Sequence, residues 1–210
     1  MKLYDHPASG NCMKARMALR ALDIPYESVE LDLFRRETRT PEHLARNPDG
    51  RVPVLELDSG ETIPESGAIL LYLAEGTPLL PGDRLARARV HQWLFFEQNQ
   101  IEAQLATARF LVLSGVAERV PELTEALIAR GRASLGSLAR GLSDGRAFVA
   151  GDAFTVADIA LYAYVHCASD VGVDPRRTAE ISGWLDRVEA TEHFVNDLAP
   201  LPDYARERAQ

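Results

Sequence analysis

Two short stretches of this 210-residue chain carry residue types suited to holding a peptide. In Gly50-Arg51-Val52-Pro53-Val54-Leu55 a proline sits where the apolar pattern asks for a buried strand. Proline has no N–H and cannot complete a ladder in a central strand. Either Val52–Pro53 opens the strand, or it forms a special turn whose freed backbone groups serve something else. A cis bond there would leave the Val52 N–H and C=O unpaired and able to dock an extended peptide by strand-like pairing. Further on, Glu65-Ser66-Gly67-Ala68-Ile69 opens a helical pattern continued by Tyr72 and Leu73. An acidic and a hydroxyl side chain therefore stand at a helix N-terminus, a place that attracts carboxylates. A peptide-docking strand end beside a carboxylate site describes a pocket for a short peptide that carries a free carboxylate.

This pairing of motifs closely resembles the N-terminal domain of the cytosolic glutathione S-transferase family, and the resemblance extends over essentially the whole chain. It is motif-rich in the first 76 residues and diffuse afterwards. It implies glutathione as co-substrate, with no metal. Glu65 and Ser66 would take the γ-glutamyl end, Glu65 facing its ammonium and Ser66 its carboxylate. Val52, with Pro53, would take the cysteinyl backbone. Arg39 and Arg51 match positions where relatives often carry lysine or histidine and would meet the glycyl carboxylate; Arg35 is a weaker choice. Pro64 and Gly67 depart from the family's usual pattern around this helix start.

The loop His6-Pro7-Ala8-Ser9-Gly10-Asn11-Cys12-Met13-Lys14 offers three side chains that could touch a sulfur: Ser9, Asn11 and Cys12. A free thiol has a pKa of about 8.5 and is mostly protonated at neutral pH, whereas the thiolate is the nucleophile. A hydroxyl donor aimed at the sulfur, together with the positive end of a helix, stabilises the anion. The resemblance places the catalytic serine of theta- and zeta-type enzymes on Ser9 and the cysteine of beta-class enzymes on Cys12. Ser9 is preferred, with Asn11 as co-donor or replacement and Cys12 as the alternative centre. Ser9 is otherwise a helix cap or turn former, and Cys12 a small apolar core residue. Ser-Gly-Asn-Cys lacks the first cysteine of a Cys-x-x-Cys redox motif, which argues against intramolecular dithiol chemistry. Tyr4 lies inside the preceding strand and is expected in the core.

The elements that must position these groups read as follows. Leu3-Tyr4 is a strand; Asn11 to Leu22 is a helix with Ala15, Ala18, Leu19 and Leu22 on one face. Tyr26 to Leu33 alternates as a second strand. Thr40-Pro41-Glu42 starts a helix with threonine as N-cap and proline at the first position. Val52 to Leu57 is a third strand, Asp58-Ser59-Gly60 a hairpin turn, Thr62-Ile63 a fourth strand, and Glu65 to Glu75 a helix. The order βαβαββα is that of an α/β thioredoxin-like domain, residues 1–76. The proline- and glycine-rich stretch 77–83 reads as a linker. Residues 84–210 then form an all-α helical-bundle domain. Arg84 to Ser114 reads as one long helix and Pro121 to Leu142 as another, with closing helices near Thr178 to Thr191. Phe154-Thr155-Val156-Ala157-Asp158 reads as a capping box with an adjacent staple, an element also characteristic of this family's second domain, which gives Asp158 a structural role. The resemblance puts a second-substrate site between the domains, with Trp93, Phe96, Asn99 and Arg109 available from the long helix.

Bulk composition narrows the functions. The apolar fraction is 46% and the charge is 23 basic against 31 acidic residues, a net −8. That balance disfavours nucleic acid and anionic membrane as partners. Two cysteines, Cys12 and Cys167, are too few for a disulfide scaffold. The five histidines show no metal-ligand spacing. Met1-Lys2-Leu3-Tyr4-Asp5-His6 turns polar before an apolar run develops, so no leader is expected, and a cytoplasmic location is expected from that and from a cysteine count that suits a reducing cytosol. Apolar residues all round the helix from Glu65 (Ile69, Leu70, Leu71, Tyr72, Leu73), with the family resemblance, imply a homodimer. The leading expectation is an enzyme that conjugates glutathione to a small hydrophobic electrophile. Alternatives are a glutathione-dependent thiol transferase or peroxidase, and a non-catalytic binding protein of the same fold.

Overall fold

A computed structural model of the chain describes residues 1–208. The first compact unit comprises Met1–Glu75 and Glu192–Pro202; the second comprises Gly76–Thr191 and the residues from Asp203 onward.

The first unit is built on a four-stranded sheet of β1 (Lys2–Asp5), β2 (Glu27–Glu30), β3 (Val54–Glu56) and β4 (Thr62–Pro64), in the order β2-β1-β3-β4. β1 runs parallel to β2, with Tyr4 opposite Val29, and antiparallel to β3, with Leu3 opposite Leu55. β3 and β4 form a hairpin pairing Leu55 with Ile63. Helices α1 (Gly10–Ala21), α2 (Pro41–Arg46) and α3 (Ser66–Ala74) complete the βαβαββα order. α1 packs on α3, and Leu3, Met13, Leu19, Leu55, Ile69 and Leu70 lose all contact with solvent. Thr40 caps α2 by accepting the His43 N–H, with Pro41 at the first helical position.

Two strands are shorter than the alternation in the sequence predicts, for local reasons. β2 ends at Glu30 because the Asp32 carboxylate accepts the N–H groups of Phe34 and Arg35 and turns the chain. β3 begins only after Pro53, which has no N–H to offer. The tail 192–202 belongs to the first unit rather than to the helical one. Asp197 pairs with Arg16, and the Ala199 N–H donates to the Pro7 carbonyl at 3.1 Å.

The second unit is helical throughout: α4 (Arg84–Phe96), α5 (Thr107–Leu113), α6 (Pro121–Leu142), α7 (Val156–Val165), α8 (Ala179–Glu189) and the short α9 (Ala205–Arg208). Between α4 and α5 the chain stays helical but widens to a π-helix over Glu97–Ala106. The apolar spacing predicts one uniform helix here, since it does not separate α from π winding over so short a run. All of α7 is buried. At its start the Thr155 hydroxyl accepts the Ala157 N–H at 3.3 Å, and the fully buried Asp158 carboxylate accepts the Thr155 N–H at 3.0 Å. Asp158 also accepts the Val149 N–H at 3.0 Å and the Trp184 indole N–H at 2.9 Å. Burial pushes its carboxyl pKa up against these donors. No helix among the described residues is long and apolar enough to cross a membrane.

Asp158 is thus one acceptor serving a loop, a helix start and the core tryptophan. Asp158→Ala orphans several buried donors at once and is expected to cost about 3–5 kcal/mol. Urea unfolding checks this; a loss below about 1 kcal/mol would show that the donors find other partners.

Candidate active site

The loop between β1 and α1 is fixed at both ends. The Ser9 N–H donates to the His6 carbonyl at 2.9 Å, and the Ser9 hydroxyl, as N-cap of α1, accepts the Cys12 N–H at 3.3 Å. That bond uses a lone pair and leaves the hydroxyl proton to be donated. α1 has no acidic residue in its first turn, so its positive end is not neutralised there. Ser9 itself is half-buried.

Arg16, one of α1's buried residues, holds this loop from below. Its guanidinium pairs with Asp5 at 2.6 Å and Asp197 at 2.9 Å, and donates to the Pro7 carbonyl at 3.3 Å. The Pro7 carbonyl therefore accepts from both Arg16 and Ala199, two residues before Ser9. Sequence reasoning missed this cluster. Its partners are joined by folding alone, 181 positions separating Arg16 from Asp197.

Cys12 belongs to the core. It is fully buried, and burial, reinforced by the Asp5 charge, pushes its thiol pKa well up. Tyr4 is in the core, as its place in β1 implies, and donates its hydroxyl to Glu56 at 2.9 Å.

Asn11 and Ser66 lie far apart in sequence and meet in space: the Ser66 hydroxyl donates to the Asn11 side-chain oxygen at 3.2 Å. The loop end of α1 and the first turn of α3 are thereby joined. Ser66 is buried, while Glu65 is exposed, and among the described residues the Glu65 carboxylate has no partner. Glu65 stands at the N-cap of α3 but makes no capping bond, and its backbone is at φ +73°, ψ +117°. A non-glycine residue held at positive φ costs about 1–3 kcal/mol and persists only where its surroundings impose it.

The Val52–Pro53 peptide is cis. Among the described residues, neither the N–H nor the C=O of Val52 has a partner. The preceding carbonyl, that of Arg51, is held twice, by His43 Nε2 at 3.0 Å and Asn47 Nδ2 at 3.1 Å. Neither residue stands out in the sequence, although Asn47-Pro48-Asp49-Gly50 carries the composition of a side-chain-stabilised turn. The Arg39 guanidinium lies along the same turn and donates to the Asp49 carbonyl at 2.9 Å. Gly50 permits this approach. It has φ +57°, and a Cβ there would fall 2.7 Å from both Arg39 Nη1 and the Thr38 carbonyl oxygen. Arg51 is exposed beside it, and Arg35 is paired with Asp32 at 3.3 Å. The first unit thus brings Ser9, Asn11 and Ser66 to the facing ends of α1 and α3, and Arg39, Arg51 and Val52 to the turn before β3.

The four residues expected to meet a second substrate are less uniform. Trp93 is a core residue, edge-to-face with Phe96 at 5.2 Å, and a side chain at Gly141 would collide with its ring. Arg109 is paired with Asp170 at 2.7 Å. Phe96 is half-buried and Asn99 exposed. Among the described residues no group of three or more His, Cys, Asp or Glu is placed to hold a metal ion.

A small mixed sheet flanked by helices, followed by an all-helical unit, defines a thioredoxin-like domain joined to a helical bundle. Comparisons with known proteins agree and go further. Residues 3–80 match the family model described as glutathione S-transferase, N-terminal domain, and residues 121–206 match that of the C-terminal domain. The chain is 37% identical over 179 residues to a maleylacetoacetate isomerase of Rhizobium meliloti strain 1021, covering 82% of this chain and 83% of that protein. A crystal structure of a glutathione S-transferase from Pseudomonas fluorescens Pf-5 superposes with a TM-score of 0.90 at 40% identity, covering 94% of this chain and 98% of that one. Another glutathione transferase family member from the same strain, solved with two glutathione molecules bound, has a TM-score of 0.79 at 26% identity, covering 91% and 89% of the two chains. The chain belongs to the glutathione S-transferase family.

Both thiols should resist labelling in the folded protein. Cys167 is buried, and burial pushes its pKa up to about 11; Cys12 is shifted in the same direction. A raised thiol pKa leaves less thiolate at pH 8 than the ordinary value of about 8.5 gives. Native protein should therefore react slowly with a disulfide reagent, and denatured protein at once with both cysteines. Rapid labelling of Cys12 in the native chain would contradict its burial. A separate outcome concerns Glu65. Glu65→Gly relieves the positive φ and should be about 1 kcal/mol more stable than Glu65→Ala in urea unfolding. Equal stabilities would mean that the Glu65 backbone is not strained.

Proposed function

We propose that this chain activates the thiol of glutathione with the Ser9 hydroxyl and transfers the sulfur to a small hydrophobic electrophile. The observation that carries the reading is the meeting of two helix N-termini, with Ser9 capping α1 and Asn11 bonded to Ser66 at the start of α3. A tripeptide spanning them would have its γ-glutamyl end at Ser66 and Glu65, its cysteinyl backbone at Val52, and its glycyl carboxylate near Arg39 and Arg51. The unpaired Val52 backbone and the uncommitted Glu65 carboxylate support that orientation. The glutathione-bound relative supports the choice of ligand.

In this mechanism the Ser9 hydroxyl donates to the glutathione sulfur, and the end of α1 adds its positive potential. Both favour the thiolate over the thiol. The thiol proton passes to water; the thiolate then forms a C–S bond, either displacing a leaving group that departs with its electron pair or opening the π bond of an activated alkene, whose other carbon takes up a proton. Asn11 is a second polar group within the same turn. Cys12 is the weaker centre, since a buried thiol of raised pKa is a poor nucleophile. That also weighs against thiol exchange or peroxide reduction through Cys12. Half-buried Phe96 and exposed Asn99 are the candidates for meeting the electrophile. The reading includes a homodimer, supported by apolar side chains left in solvent, Tyr72 at 49% and Phe95 at 73% exposure.

The Rhizobium relative favours a second outcome of the same first step. Its name describes isomerisation of a maleyl group, a cis-alkene. Thiolate addition to an activated cis-alkene leaves a C–C single bond free to rotate, and elimination then returns the trans-alkene and glutathione. Conjugation consumes glutathione, whereas isomerisation does not, so product analysis with both kinds of substrate separates them.

Ser9→Ala should lower turnover about ten- to a hundred-fold, roughly 1.4–2.8 kcal/mol of transition-state stabilisation, with little change in glutathione affinity. In the same assays Ser66→Ala should raise the KM for glutathione several-fold and leave kcat within about three-fold, because it acts on ground state and transition state alike. A silent Ser9→Ala beside a damaging Cys12→Ala would move the chemistry to the cysteine. Failure of the wild-type chain to bind immobilised glutathione would remove the reading altogether.

A further inference from the structure

We propose that His43 and Asn47 are positioning residues that aim the Val52 N–H at the bound peptide, given the reading that Val52 receives the cysteinyl backbone of glutathione. The peptide unit between Arg51 and Val52 sets the geometry. In a trans peptide the C=O and the following N–H lie in one plane and point in opposite directions. Among the described residues the cis bond is the next one, Val52–Pro53. Whatever holds the Arg51 carbonyl therefore sets the direction of the Val52 N–H.

The sheet does not hold it. Pro53 has no N–H, and ladder pairing begins at Val54. Two buried side chains do so instead. A carbonyl oxygen accepts through two lone pairs, and here it meets His43 Nε2 at 3.0 Å and Asn47 Nδ2 at 3.1 Å. The two residues are 2% and 3% exposed. Facing an acceptor, Nε2 carries the ring proton. Two donors on one carbonyl restrict tilt and rotation of the peptide plane more than one can. That matters because a hydrogen bond weakens steeply as its angle departs from linear.

Both donors are themselves fixed. The Asn47 amide oxygen accepts the Asp49 N–H at 3.1 Å, and its backbone carbonyl accepts the Gly50 N–H at 2.9 Å, so the amide can face only one way. The His43 N–H is capped by the Thr40 hydroxyl at 3.3 Å, and its ring stands edge-on to Tyr4 at 5.9 Å. The other ring nitrogen, Nδ1, is buried and has no partner among the described residues. An unpartnered buried polar atom carries a desolvation cost. An apolar side chain would fill the space without it, so the Nε2 contact is what a histidine adds here.

The test uses the full chain and glutathione itself. Glutathione Kd is measured by calorimetry, and the ligand-free Val52 amide is followed by nitrogen–proton correlation NMR. His43→Leu keeps the bulk and removes the donor; Asn47→Asp keeps the shape and removes the other donor. Each should weaken glutathione binding about five- to ten-fold, shift the Val52 amide resonance, and leave kcat at saturating glutathione within about two-fold. His43→Gln, which restores a donor, should recover most of the affinity. Folding is checked by thermal melts, and if His43→Leu does not fold, the Asn47→Asp and His43→Gln comparison decides. Folded variants with wild-type affinity and an unmoved Val52 resonance overturn the inference. Wild-type protein that binds no glutathione overturns the functional reading instead, and the Val52 resonance in the ligand-free variants still decides whether these residues set the peptide plane.

Discussion

A backbone segment that is to accept a peptide by strand pairing must stay unpaired and yet not move. In the proposed function this constraint falls on Val52. Pro53 keeps the chain out of the ladder by lacking an N–H, and β3 starts one residue later. The segment just before it then has no sheet to fix it. Its order comes from the short helix α2 and the turn after it, through His43, Asn47 and the Arg39–Asp49 contact. The close approach at Gly50 is a consequence, since only a residue without a Cβ lets the Arg39 guanidinium lie on the turn.

The front loop meets the same difficulty by electrostatics. Asp5 ends β1 inside the protein, and a buried carboxylate without a partner is costly. Arg16 supplies the partner, and its own excess of donors reaches Asp197 and the Pro7 carbonyl. The loop that carries Ser9 is thereby tied to a helix below and to a tail segment from the far end of the chain. The ion cluster's contribution here is placement rather than net stability, because the Coulomb attraction of a buried pair is largely offset by desolvation.

What can be read from the sequence is what is local. Thr40-Pro41, Thr155–Asp158, the Val52–Pro53 break and the βαβαββα order each depend on residues within a few positions of one another, where capping and ladder rules act directly. Residue type allows Ser9 to be a cap and Cys12 a core residue or a reactive centre, and burial separates them. The long-range partners leave no local trace: Arg16 with Asp197, Asn11 with Ser66, and the two donors on the Arg51 carbonyl. The helical unit is the least legible. Apolar spacing shows that a face is buried but not against what, so Trp93 and Arg109 look available when one fills the core and the other is ion-paired. The positive φ of Glu65 is likewise invisible in a residue type that rarely adopts it.

Ser9 and Cys12 show how much of the proposed chemistry is decided by burial rather than by residue type. They sit within one turn at the same helix end, and one hydrogen bond joins them. The helix potential and a side-chain contact with Ser9 both favour an anion at Cys12, yet burial outweighs them and its pKa rises. Ser9 need not ionise at all. A hydroxyl can remain neutral in a half-buried place and still donate a proton to an anion brought by the ligand. Desolvation then falls on a neutral group, the helix end acts on the ligand's sulfur, and the protein holds no charged nucleophile of its own between turnovers. For a chain whose thiols are both buried, the proposed use of the sulfur of glutathione is the arrangement its physical chemistry favours.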